Sequence, residues 1–353
     1  VTSLGSAGGG RRGRALLAPA LGVVAISPVL VVLAVLLSSA DARFGALLET
    51  VFAAELWQVG PETARLAVAL WTAVGLLWMM TRDGVRVPRV PFPPRPIAAV
   101  VSALVAIELL FGLFLVLQTR YLFGGRAHVL ATEGLTLATY ARRGFFELVA
   151  VVALTLPVLV LAEACVATSS DADRRRVRAH AVAVLGALLL LLASAASRML
   201  LYTGTFGLTP ARVYATAVML WLALALGWFA LTSLRGVAER FVGGALGLAV
   251  LSLLMLNLVN VDGLVVRFNS VRGARGGAVD AAHLGTLGAG AVPALLRADG
   301  LPAPVRCEAL NAMRARLDRA RGEEERWNAE VARARGALRP AVARAAEAAC
   351  VRS

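Results

Sequence analysis

An all-α, polytopic transmembrane helix bundle of about seven spans, with a small helical C-terminal extramembrane domain, is the fold this sequence predicts. Three observations predict it. The 353 residues are 59% hydrophobic and 16% charged, with a mean hydropathy of +0.74, too apolar for a soluble domain of that length. Apolar runs close to the roughly 20 residues that cross a ~30 Å hydrocarbon layer recur along the first 260 residues. Beyond residue 260 the composition turns polar and Ala/Arg-rich.

The runs fall at 15–37, 64–80, 97–117, 144–166, 181–201, 210–233 and 241–259. The second is the shortest and carries Arg65 near its start. Pro19, Pro28 and Pro157 lie inside spans, where neighbouring helices can satisfy freed carbonyls, so they imply kinks. Phe44, Leu47, Leu48, Val51 and Phe52 recur at helical spacing and read as an amphipathic helix on the membrane surface. Residues 82–96, RDGVRVPRVPFPPRP, form a stiff basic connector. Gly243 and Gly247, at GxxxG spacing, favour close helix packing. In the tail, Ala291, Leu295, Leu296, Leu310, Met313 and Leu317 indicate short helices broken by Gly300, Pro302 and Pro304. The expected organisation is a flexible basic N-terminus over 1–14, a transmembrane helix bundle over 15–260 and a helical extracytoplasmic tail domain over 261–353.

The formal charge of +14 comes from 36 basic residues, all of them arginine. Such a bias resembles the coding habit of a GC-rich genome, so basicity alone does not point to nucleic acid, and no nucleic-acid partner is expected. Placement is informative. Arg11, Arg12 and Arg14, then Arg82, Arg86, Arg89 and Arg95, then Arg174, Arg175, Arg176 and Arg178, then Arg235 and Arg240 share one side under a seven-span parity. That side is cytoplasmic. The expectation is a multi-pass protein of the bacterial inner membrane with its N-terminus cytoplasmic and its tail outside. Arg267, Arg272 and Arg275 oppose this, but long domains translocate largely regardless of charge.

The start, VTSLGSAGGGRRGR, lacks a short apolar region followed by a small-residue cleavage site, so no signal peptide is expected. The three cysteines, Cys165, Cys307 and Cys350, have no metal-ligand spacing, and neither a metal nor a cofactor is expected. With the tail outside, Cys307 and Cys350 lie where disulfides persist, and a bond between them is expected to stabilise by ~3 kcal/mol. His128, His180 and His283 are scattered, without HExxH, and no GxSxG or P-loop occurs, so motifs leave enzyme status open.

The stretches YLFGG, YARRGFFELV, LYTGTFGLTPARVYATAVMLW and NLVNVDGLVVRFN, with LLSSADARF, HLGTLGAGAVPALL and RWNAEVARARGAL, together resemble a bacterial multi-pass membrane family, domain of unknown function 4173. The resemblance covers most of the chain and implies no activity. It departs at Val261, which stands between Asn260 and Asp262 where the family pattern has proline. Family members also tend to carry further hydrophobic segments before the region that starts here.

Under the parity above, Gln118, Arg120, Tyr140, Arg142, Arg143, Glu147, Arg198, Tyr202, Thr209, Arg212, Tyr214, Asn257, Asn260 and Asp262 collect in one outer-leaflet layer. Arg143 and Glu147 are spaced to pair on one helix face, as Arg198 and Tyr202 share another. Thr209 is a plausible N-cap, with Pro210 in the first helical position. Three readings stand side by side: interfacial anchors that snorkel to headgroups, an internal salt-bridge network, or a site for an anionic group. For the last, the candidate ligand residues are Gln118, Tyr140, Arg142, Arg143, Glu147, Arg198, Arg212 and Tyr214, with Arg143, Arg198 and Arg212 converging within about 10 Å. The ligand would be an anionic lipid headgroup or a lipid-linked phosphate. Glu108, mid-span, is read as a neutral, hydrogen-bonded acid inside the bundle, with a proton relay as the alternative.

These features fit a binding or assembly component of the cell envelope. A membrane enzyme acting on an anionic lipid or lipid-linked precursor is the rival, and a transporter comes third, there being no visible internal repeat. The topology is testable by single-cysteine labelling of intact cells with an impermeant reagent. Label at position 285 and none at position 90 is the expected result; the reverse pattern inverts the orientation.

Overall fold

The computed structural model describes residues 9–51, 97–122, 144–167, 169–237, 240–319, 334 and 336–337, and among them it is helical, without strands. Among the described residues, six helices contain stretches long and apolar enough to cross a membrane: Leu17–Ala40, Ile97–Gln118, Phe145–Cys165, Asp171–Phe206, Pro210–Leu234 and Phe241–Leu258. The predicted span at 64–80 and the connector at 82–96 lie outside the described residues. The chain forms two compact units, one of Val1–Arg198 with Met219–Leu248, the other of Met199–Val218 with Ala249–Ser353.

In the first unit, α1 (Gly9–Ala40) packs along α3 (Ile97–Leu122). A Cβ on Gly22 would lie under 3.0 Å from the Ala99 carbonyl, so a missing side chain is what lets the two backbones approach. Ser102 Oγ donates to the Pro19 carbonyl at 2.8 Å across the same seam. Helix α2 (Ala42–Val51) starts at Asp41, whose carboxylate accepts the amides of Arg43 and Phe44 at 3.0 and 3.2 Å. Of its apolar stripe, Leu47 is half-buried, and the Val51 side chain and Phe52 lie outside the described residues. Phe44 and Leu48 are buried, α2 packs on α1 and α3, and Phe44 meets Phe114 edge to face at 5.2 Å.

Helix α4 (Phe145–Cys165) contains Pro157 and packs against α1. Helix α5 (Asp171–Phe206) begins with a reciprocal cap, Ser170 Oγ accepting the Asp173 amide at 3.3 Å and donating to its carboxylate at 2.7 Å. At 36 residues it runs ~54 Å, well beyond ~30 Å of hydrocarbon, which leaves room for its arginine-rich start outside the apolar layer. Helices α6 (Pro210–Leu234) and α7 (Phe241–Leu258) meet where a Cβ on Gly244 would overlap the Trp228 indole. The GxxxG expectation is off by one residue, since Cβ atoms on Gly243 or Gly247 would meet nothing within 4 Å. Repeat spacing identifies a small-residue face but not the position a tryptophan occupies.

The second unit includes α8 (Val261–Ala274), α9 (Ala281–Gly285), α10 (Val292–Leu296) and α11 (Ala303–Arg319). Its core gathers Val265, Val266, Leu284, Leu295, Leu310 and Met313, at roughly 1.5–3 kcal/mol for each large side chain removed from water. Asn260 caps α8, accepting the Gly263 amide at 2.8 Å and donating to the Gly290 carbonyl at 2.8 Å. Val261 therefore occupies the first helical position, where proline and other residues are alike tolerated. Pro304 does not break the tail's longest helix but lies in its first turn. Cys165 is not in a disulfide and Cys307 is disulfide-bonded; Cys350 lies outside the described residues.

Gly144 precedes α4 with φ +85°, and a Cβ there would sit 2.6 Å from both the Ala40 carbonyl oxygen and Arg198 Nη1. Gly144→Ala is expected to destabilise by about 2–4 kcal/mol, from the left-handed backbone and the overlap together. Gly112→Ala, which meets nothing within 4 Å, should be neutral or stabilising. Unfolding of the two variants in the same detergent compares them.

Candidate functional site

Ionisable and amide side chains in the first unit sit in pairs across helices. Arg198 is buried and donates through Nη1 to the Ala40 carbonyl, the last of α1, at 3.0 Å. Gln118 is buried too, with its Oε1 accepting from Ser194 at 3.1 Å and its Nε2 without a partner among the described residues. Glu163 on α4 is buried, takes a 2.5 Å hydrogen bond from Ser233 on α6 and faces Arg178 on α5 at 3.6 Å, an ion-pair distance rather than a hydrogen bond. One carboxylate thus ties three helices.

Glu108 has a partner that sequence reasoning missed. His180 Nδ1 lies 2.9 Å from Glu108 Oε1, so this histidine is paired rather than merely scattered. The signal was an acid in mid-span in need of a donor, but the donor stands 72 residues away, just before the expected start of its own span.

In the second unit the polar groups converge on the end of α5. Gly207, at φ +80°, turns the chain, and a Cβ there would collide with Asn269 Oδ1. Buried Asn269 grips the next residue twice, accepting the Leu208 amide at 3.0 Å and donating to the Leu208 carbonyl at 2.8 Å. Helix α6 then starts, with the Arg212 amide 3.4 Å from Thr209 Oγ1. Two guanidinium groups close the carbonyls that α5 leaves open: Arg212 Nη1 donates to Gly207, and Arg272 Nη1 to Thr205 at 2.6 Å. Arg272 Nη2 donates onward to Ala278, and Arg212 stacks over the Tyr202 ring at 3.9 Å.

Leu208, Arg212, Asn269 and Arg272 border a cavity of about 220 Å³, lined also by Thr209, Asp280, His283 and Leu284. Two fixed cations face it against one acid, and Asp280 is already engaged in accepting the His283 amide at 3.0 Å. Arg272 Nε and His283 Nε2 are buried without hydrogen-bond partners among the described residues. Chemically, this is a small chamber with surplus positive charge.

Of the expected ligand residues, only Arg212 lines this cavity. Gln118 and Arg198 belong to the first unit and have the partners given above. Glu147 lies half-buried in the first turn of α4, where a carboxylate suits the helix dipole, and Tyr214 is half exposed. Tyr140, Arg142 and Arg143 lie outside the described residues. Tyr202, four residues after Arg198 on α5, carries Arg212 over its ring. Asn269, Arg272 and His283 were not anticipated; the quoted stretch NLVNVDGLVVRFN ends on Asn269, but nothing in it shows which turn that amide grips.

Helices of this length and polarity define an integral, multi-pass α-helical membrane protein. The chain belongs to the family described as Domain of unknown function (DUF4153), whose model matches residues 1–298. The number 4173 to which the motifs pointed is not confirmed, while a multi-pass family of unknown function is compatible with the match. No curated protein and no solved structure matches the chain.

Asn269→Ala removes both bonds to Leu208 from a buried position and is expected to destabilise by about 1–3 kcal/mol. Asn269→Asp, which keeps the acceptor but not the donor, should also lose stability. Chemical unfolding in detergent measures both; wild-type stability in Asn269→Ala would show that the turn does not depend on this amide.

Proposed function

We propose that this chain is a bacterial inner-membrane protein that serves the cell envelope as a binding or assembly component. It holds an anionic group, a lipid headgroup or a lipid-linked phosphate, in the chamber beside the end of α5. The carrying observation is that Arg212 and Arg272 line about 220 Å³ of space against one acid, Asp280, which already accepts a backbone amide. An oxyanion accepts several N–H groups at once and offsets charges that the capped carbonyls only partly balance. Thr209 adds a hydroxyl.

The extracytoplasmic placement of residues 261–353 rests on arginine asymmetry along the chain. The disulfide at Cys307 supports it, because disulfides persist in oxidising compartments. A bond from Cys307 to Cys350 is part of this reading.

Inorganic phosphate titrated into the detergent-purified protein at constant ionic strength tests the reading. Phosphate is expected to raise the unfolding temperature beyond an equivalent chloride control. Arg212→Gln and His283→Ala are each expected to weaken phosphate about ten- to a hundredfold, since a hydrogen bond to a charged group contributes about 1.5–3 kcal/mol. A response equal to that of chloride, or one unchanged in both variants, rejects the chamber as an anion site.

A further inference from the structure

Helix α8 has two working sides. Val265, Val266 and Asn269 are buried, while Leu264, Phe268 and Val271 are apolar yet exposed, with exposed Arg267 among them. An apolar stripe beside a cation is the pattern of a helix lying in the membrane interface. Helix α7 ends at Leu258, with two residues between it and α8, and Leu253, Leu254 and Leu258 are exposed. The apolar surface of the last span therefore runs through exposed Val259 into the tail.

Along this side of α8 runs a groove of about 540 Å³, within the usual range for ligand sites. Val259, Leu264, Val271 and Pro293 supply apolar lining, and Arg267 and Arg297 stand among them. Both arginines are exposed, and neither has a hydrogen bond or ion pair among the described residues. That sets them apart from Arg212, Arg272 and Arg316, which all donate to backbone carbonyls. An apolar channel continuous with a span's lipid-facing surface suits an acyl chain, and two free guanidinium forks suit the phosphate above it.

We infer that this groove holds an anionic phospholipid of the surrounding membrane, with a chain along Val259, Leu264 and Val271 and its phosphate between Arg267 and Arg297. It shares no lining residue with the chamber at the end of α5 and stands whether or not that chamber takes an anion. Native mass spectrometry of the detergent-extracted protein, offered phosphatidylglycerol or phosphatidylcholine with identical chains, tests it. The unaltered protein is expected to retain phosphatidylglycerol in preference, and millimolar inorganic phosphate is not expected to displace it. Arg267→Gln combined with Arg297→Gln should weaken phosphatidylglycerol roughly twenty-five-fold, about fivefold for each arginine. Both side chains are exposed, so unchanged helicity and elution are expected to accompany the loss. Ala294→Phe, which narrows the groove, should weaken both lipids. Phosphate titration of the double variant should match the unaltered protein, so that groove and chamber stand or fall separately. Equal retention of the two lipids, displacement by phosphate, or undiminished phosphatidylglycerol binding in either altered protein overturns the assignment.

Discussion

Arginine donating to the open carbonyls at a helix C-terminus is the interaction on which the described structure leans most. A helix ends with carbonyls that have no intrahelical partner, and near a membrane few waters are at hand to satisfy them. Here Arg198 serves the end of α1, Arg174 the turn after α4 at 3.1 Å, Arg212 and Arg272 the end of α5, and Arg316 the turn after α9. The planar guanidinium can reach two carbonyls at once, as Arg272 and Arg316 do. Its charge also opposes the negative end of the helix dipole.

This gives the arginines near span ends a purpose apart from headgroup anchoring or pairing with acids. Within each unit, a cap from a distant part of the chain also ties one segment to another, as Arg198 joins α5 to the end of α1 across 158 residues. Among the described residues the one buried carboxylate with a cation beside it, Glu163, takes its short bond from a hydroxyl.

Much of the helical layout was legible because hydropathy sums over many residues, and the expected span limits at 210–233 and 241–259 fall within a residue of α6 and α7. The tail's core was legible for the same reason, with Ala291, Leu295, Leu310 and Met313 all buried. Local polar chemistry was partly readable, as the Thr209 cap illustrates. What spacing could not supply was the partner across the fold. His180 for Glu108, Asn269 for Leu208 and Trp228 for Gly244 depend on which helix faces which, and a single chain carries no record of that. The candidate site was legible only in Arg212, because Arg272 and His283 are brought to it by folding of the tail.

The three residues between α5 and α6 form the kind of short link that often serves as a hinge. Here the link is clasped on both sides of Leu208 by one amide and braced at Gly207 by a guanidinium. Its backbone amide, though in a loop, should exchange with solvent as slowly as one inside a helix. The corner is consequently stiff. Any flexing between these two spans has to be taken up within the helical rods themselves.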